Sequence, residues 1–185
     1  MSPLGKTSPC PDPRPRRRRR QRGFTLLDVG LGVLSLSLAA VLAFTSSVRR
    51  QQAARCVKLG EELRTFAAAF QDFALERSAR PPSSLDEHVI PVGMEPFLRD
   101  TPWTAETPVG GHYRWTETPA EAKDNANGEI LGSIMVTAFS PEPPLALTPA
   151  DLHRIDVLID DGNLATGDFR AGFNGWPVFL VRAKK

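Results

Sequence analysis

The run from Phe24 to Arg80, FTLLDVGLGVLSLSLAAVLAFTSSVRRQQAARCVKLGEELRTFAAAFQDFALERSAR, contains no proline. Its first 25 residues, Phe24 to Val48, carry a single charge, Asp28, before Arg49 and Arg50 close the apolar stretch. About 20 apolar residues at about 1.5 Å of rise each cross the hydrocarbon of a bilayer, so this segment is long enough to span one. A cleavable secretory signal is the rival reading, and Val41-Leu42-Ala43 offers a small-residue cleavage site. Such signals have an apolar region of only about 7–15 residues. The greater length here, and a carboxylate near the start, favour a retained anchor.

Beyond Arg50 the pattern becomes amphipathic without a strong helix breaker, Gly60 being the one weak point. Val57, Leu63, Phe66, Phe70 and Phe73 fall on one helical stripe, Ala67 and Ala74 fill in beside them, and Glu61, Glu62, Arg64, Asp72 and Glu76 lie mostly off it. The whole reads as one helix from Phe24 to about Arg77, about 80 Å long at the standard rise. Its second half is expected to pack its phenylalanines on a sheet. Pro81 and Pro82 then forbid continuation, because proline disfavours helical geometry at the residue before it.

The remainder reads as a loop-rich head. Ser84 with Glu87 three residues on predicts a short capped helix, and Pro91 to Pro108 reads as irregular. Strands are expected at His112–Glu117, Ile130–Phe139, Leu152–Ile159 and Trp176–Val181. Asp161-Gly162, between IDVLID and NLATGDF, reads as a tight hairpin turn. The fold class is therefore α+β, a long N-terminal helix packed on a small antiparallel sheet. The chain divides into a basic leader (1–23), an apolar helix half (24–48), an amphipathic helix half (49–80) and a head (81–185).

Composition limits what the head can do. The net charge of +2 hides an asymmetry: residues 1–23 hold eight of the 23 basic residues and one of the 21 acidic ones, which leaves the rest at 15 basic against 20 acidic. A body with a net charge of −5 offers no basic surface for nucleic acid. The leader, rich in arginine and proline, has almost no large apolar side chains with which to bury surface. Cys10 and Cys56 are the two cysteines, one in the leader and one in the helix, so no disulfide is expected within the body. His88, His112 and His153 are scattered without a zinc-binding pattern, and no nucleophile elbow, phosphate loop or triad-like grouping points to an enzyme.

One short motif adds more. Arg22-Gly23-Phe24-Thr25-Leu26-Leu27-Asp28 places a glycine, then Phe-Thr-Leu-Leu, then an acid, between an arginine run (Arg16 to Arg20) and the apolar span. It resembles the leader of type IV pilins and of type II secretion pseudopilins, whose usual form is Gly-Phe-Thr-Leu-x-Glu. The resemblance covers residues 16–48 and implies a pilin-like fold. It further implies cutting by a prepilin peptidase between Gly23 and Phe24, N-methylation of the new Phe24 terminus, and a role for Asp28 in subunit assembly. The glycine suits a cleavage site because it has no side chain to collide with the peptidase, and the arginines would hold that site at the cytoplasmic surface. Asp28 is one methylene shorter than the family's glutamate. A carboxylate within a bilayer costs about 2.5–3.5 kcal/mol, so it either meets a cation or lies close enough to the interface to reach water. The Phe24 amine, four residues away on the same chain or belonging to an adjoining copy, is the natural cation.

The head resembles, more loosely, pilin-like secretion proteins that share a Trp, then Thr-Pro-Val-Gly-Gly, an aromatic pair and Asp-Asp-Gly-Asn with Thr-Gly-x-Phe. Those elements are Trp103, Thr107 to Gly111, Tyr113 and Trp115, Asp160 to Asn163 and Thr166 to Phe169. The three aromatics are expected to cover one end of the helix. Asp156, Asp160, Asp161, Asn163 and Asp168 do not follow the alternating ligand pattern of a calcium-binding loop, so no metal and no cofactor is expected. The expected function is that of a structural subunit, not an enzyme. It would be a single-pass protein of the bacterial inner membrane with its head in the periplasm, assembling with other pilin-like copies into a pseudopilus or pilus and binding no nucleic acid. The alternative is a signal-anchored periplasmic binding protein that does not polymerise.

Overall fold

The computed structural model describes residues 26–118, 123–124, 128–139, 144–172 and 174–184. Two compact units meet between Phe44 and Thr45.

Helix α1 runs from Leu26 to Arg77, 52 residues without a break. It ends where Ser78 turns into the left-handed region (φ 48°), three residues before Pro81, so the proline confirms a stop already made. From Cys56 onward one face is buried: Cys56, Leu59, Leu63, Phe66, Phe70 and Phe73 recur at alternating spacings of three and four. Val57, expected on this stripe, is exposed, and Cys56 and Leu59 take its place. Otherwise the stripe is the expected one, with Leu63, Phe66, Phe70 and Phe73 all buried. It also carries Glu62 inward, although that residue was expected on the polar side.

The sheet contains β1 (His112–Glu117), β2 (Lys123–Asp124), β3 (Gly128–Thr137), β4 (Phe169–Ala171) and β5 (Pro177–Arg182). The order is β1-β3-β5-β4 with antiparallel neighbours, and the two-residue β2 pairs with the start of β3. Period-two alternation places Tyr113 and Trp115 of β1, Ile134 and Val136 of β3, and Phe179 and Val181 of β5 on the buried side. Those residues meet the stripe of α1. Phe70 stacks on Trp115 with ring centroids 3.9 Å apart, and Phe66 meets Tyr113 edge-on at 4.7 Å. Trp103 is also fully buried against Phe66 and Phe70. The three aromatics therefore line the flank of α1, not its end.

Four local expectations are corrected. Leu152–Ile159 is not a strand but the body of helix α3 (Pro149–Ile159). Thr148 and Asp151 cap one another's backbone reciprocally and Pro149 sits in the first turn, a strong helix start. Leu152, Ile155 and Asp156 then point inward at helical spacing, while Val157 and Leu158 stay exposed. Asp161-Gly162 is consequently not a hairpin turn; it follows a helix. Ser84 and Glu87 do not frame a helix either. Segment 83–88 lies along β1 instead, with the Ser84 and His88 amides donating to the carbonyls of Trp115 (3.0 Å) and Tyr113 (2.9 Å). The Ser83 hydroxyl accepts the Glu117 amide at 2.9 Å, and Glu87 accepts from the Thr137 hydroxyl at 2.9 Å. These bonds cover an edge strand that would otherwise invite pairing. Finally, Glu95–Leu98 forms a single-turn helix, α2, inside the stretch expected to be irregular.

Candidate functional site

The unit that precedes Thr45 consists, among the described residues, of the apolar start of α1. Every side chain described there is exposed, and the large apolar ones between Leu26 and Val48 are 49–94% accessible. An 18-residue window of this helix has a mean hydropathy of 2.0 and none of it is buried, so it is long and apolar enough to cross a membrane. In water each such side chain forgoes about 1.5–3 kcal/mol of burial. The few polar groups are accommodated within the helix: the Ser35 hydroxyl donates to the Leu31 carbonyl at 2.5 Å and that of Ser37 to the Val33 carbonyl at 2.9 Å. Hydroxyls bonded this way carry no unmet polarity into lipid. Gly30 and Gly32 have open space where a Cβ would stand, leaving room for close approach of another helix.

Gly23 and Phe24, the expected cleavage pair, lie outside the described residues. Position 28 is the third residue of α1, within its first turn. Arg49 and Arg50 follow the apolar stretch and are exposed.

The head owes its shape to the motifs singled out in the sequence. Thr107 is buried; its hydroxyl donates to the Gly110 carbonyl (2.6 Å) and accepts the Val109 amide (3.3 Å). Gly110 and Gly111 both sit at positive φ, 87° and 74°. A Cβ on Gly110 would overlap the Pro144 carbonyl, and one on Gly111 the Thr137 carbonyl. The Thr-Pro-Val-Gly-Gly motif is thus a turn that feeds β1 against other backbone.

The Asp160–Phe169 motif is a loop held by its own carboxylates. Asp160 Oδ2 accepts the amides of Asp168 and Phe169, the latter at 2.7 Å. Asp161 accepts the Asn163 amide at 2.8 Å and the Thr166 hydroxyl at 2.7 Å, which hold its carboxyl below the usual range. Asp168 in turn pairs with Arg182 Nε at 2.5 Å.

Two buried acids of α1 and α3 carry weight that the sequence reading did not assign. Glu62 accepts the Tyr113 hydroxyl across the seam between α1 and β1 and lies 3.7 Å from Lys58. Burial first, then the bond to Glu62, pushes the Tyr113 phenol far up. Asp151 joins two helices: it caps α3, pairs with Arg154 of the same helix at 3.2 Å and accepts Gln52 Nε2 of α1 at 3.2 Å. Burial alone would raise it, but the Thr148 bonds, Gln52 and Arg154 together hold it below the usual carboxylate range. Cys56 lies beneath, its thiol 3.9 Å from Asp151; burial, then that negative charge, pushes it up. An apolar recess beside this junction is lined by Val48, Gln52, Leu145, Leu147 and Thr148.

The class these features define is an α+β chain whose long N-terminal helix packs on a small antiparallel sheet at one end and is long and apolar enough for a membrane at the other. No family model, curated protein or solved structure matches the chain.

Proposed function

We propose that the chain is a pilin-like structural subunit. A prepilin peptidase removes residues 1–23 at the cytoplasmic face of the inner membrane, and Phe24 becomes the N-methylated terminus. The helix holds the head in the periplasm, and copies assemble into a type II secretion pseudopilus or a type IV pilus.

The observation that supports this reading best is the placement of one motif. Arg22-Gly23-Phe24-Thr25-Leu26-Leu27-Asp28 leads straight into a helix whose apolar side chains are all exposed and whose continuation is the core element of the head. A surface of that kind needs lipid or other helices around it. Lipid covers it while the subunit waits, and neighbouring anchors cover it in a filament. The Phe24 amine released by cleavage then supplies a cation to position 28, about one helical turn away. Within this reading the head has no catalytic role and binds no nucleic acid. Its work is packing, driven mainly by burial of apolar helix surface.

Mass spectrometry of the membrane-extracted protein tests this, in cells with and without the peptidase. The expected terminus is methylated Phe24 where the peptidase is present and an intact leader where it is absent or where Gly23 is replaced by Ala. An intact leader in every strain would favour the anchored, non-polymerising binding protein. A soluble product beginning at Phe44 would remove the membrane reading altogether.

A further inference from the structure

Asp156 of α3 is fully buried, and neither of its carboxylate oxygens has a hydrogen-bond partner of ordinary geometry among the described residues. One carboxylate oxygen each from Asp156, Asp160 and Asp161 lie within 4.8 Å of one another. Three ionised carboxylates so placed, one of them out of water, repel strongly. Something must relieve them.

Among the described residues, the arginines of the surrounding elements bond to other groups, although the charge of Arg170 also reaches Asp161. Arg64 of α1 donates to the Leu158 carbonyl at 3.1 Å, and Arg170 of β4 donates from Nε to the Gly167 carbonyl at 2.9 Å. Arg182 of β5 is paired with Asp168, and Arg154 of α3 with Asp151. His153 and the Gly162 amide ease the repulsion only in part. Asp160 Oδ2 already accepts two backbone amides, and Asp161 an amide and a hydroxyl, so these two carboxylates have fewer lone pairs left for a metal ion. A single proton on the buried acid relieves the repulsion without any further ligand.

We propose that the Asp156–Asp160–Asp161 cluster holds one proton on Asp156, and that this proton latches the end of α3 to the loop entering β4. A neutral Asp156 adds no charge, and its O–H supplies a donor directed at the neighbouring carboxylates. Asp160 connects the cluster to the core, because it holds the amide of Phe169, a fully buried residue that pairs with Phe179 across β4 and β5. Burial, then the charges of Asp160 and Asp161, push the Asp156 carboxyl above the usual range, in keeping with this arrangement. Release of the proton to solvent as pH rises sets a second charge beside Asp160 and loosens its hold on the loop. This latch is a property of the folded head and holds whether or not the chain forms filaments.

Carboxyl-carbon NMR titration of the full mature chain in detergent, with amide exchange measured alongside, tests the latch. Asp156 is expected to titrate above the ordinary aspartate value of 3.8. Across that titration the protection of the Phe169 amide, relative to Ile134, is expected to fall about tenfold. In Asp156→Asn the ratio should not change with pH, since the amide mimics the neutral acid. Asp161→Asn, which removes a neighbouring charge, should lower the Asp156 titration and serves if the first variant does not fold. Titration of Asp156 at or below that ordinary value would overturn the proposal. So would a rise in Tm on adding calcium or magnesium chloride to the wild type but not to Asp156→Asn, which would make the cluster a cation site.

Discussion

The Tyr113 hydroxyl donates to the carboxylate of Glu62, joining the first strand of the sheet to the middle of α1 where both side chains are out of water. Tyr113 also lies edge-on to Phe66, so the polar contact is set inside the aromatic seam. Removing the hydroxyl leaves Glu62 buried with only the exposed Lys58 for company. Tyr113→Phe is therefore expected to destabilise the head by about 1–3 kcal/mol in chemical denaturation. The phenol is pushed up from its ordinary value of 10.0, so its stabilisation is complete below about pH 10 and declines as pH rises above it. A variant as stable as the wild type would show that the bond contributes nothing net.

Gly110 offers a sharper steric test, since its positive φ and the Pro144 carbonyl both exclude a side chain. Gly110→Ala should cost at least about 1–3 kcal/mol. Gly175 also has positive φ but open space around it, so Gly175→Ala should cost less. Thermal melts of the two variants side by side would check the difference.

Acid should weaken the junction between α1 and α3. Asp151 is held below the usual range, so its contribution is present above its unfolded value near 3.8 and is lost as pH falls through the lower folded value. Asp151→Asn removes the charge that Thr148, Gln52 and Arg154 stabilise, and should cost about 1–2 kcal/mol at neutral pH. The difference between variant and wild type should shrink below pH 4, which denaturant midpoints at a series of pH values would reveal.

For the proposed assembly, the decisive substitution is Asp28→Gln. It keeps the size of the side chain close to that of the family's glutamate but removes the charge that would meet the Phe24 amine. Processing at Gly23 should continue while filament formation falls severely, as judged by sedimentation of sheared material. Undiminished filaments would remove the charge pair from the assembly mechanism.

The places where the sequence misled are informative. Leu152–Ile159 is short and carries three β-branched residues, enough to pass for a strand, yet the capping pair Thr148 and Asp151 around Pro149 is a stronger local signal and it prevailed. On α1 the stripe through Leu63 and the three phenylalanines was legible, and only Val57, next to the buried Cys56, was misplaced. Cys56 and Leu59, smaller and less conspicuous, continue the same face toward the N-terminus. Asp156 and Glu62 were indistinguishable from surface acids, since nothing local marks a carboxylate as buried.

The chain by itself determined the long helix, its apolar and amphipathic halves, three of the strands and the turn at Gly110-Gly111. Each of these follows from short-range rules: hydrophobic period, the absence of proline, and positions where only glycine fits. Tertiary structure alone decided which acids leave the water, which strands become neighbours and how the Asp160–Phe169 loop closes. Those outcomes depend on pairing groups far apart in sequence, such as Tyr113 with Glu62 and Gln52 with Asp151, and no local pattern of residues records which distant partner will satisfy a buried charge.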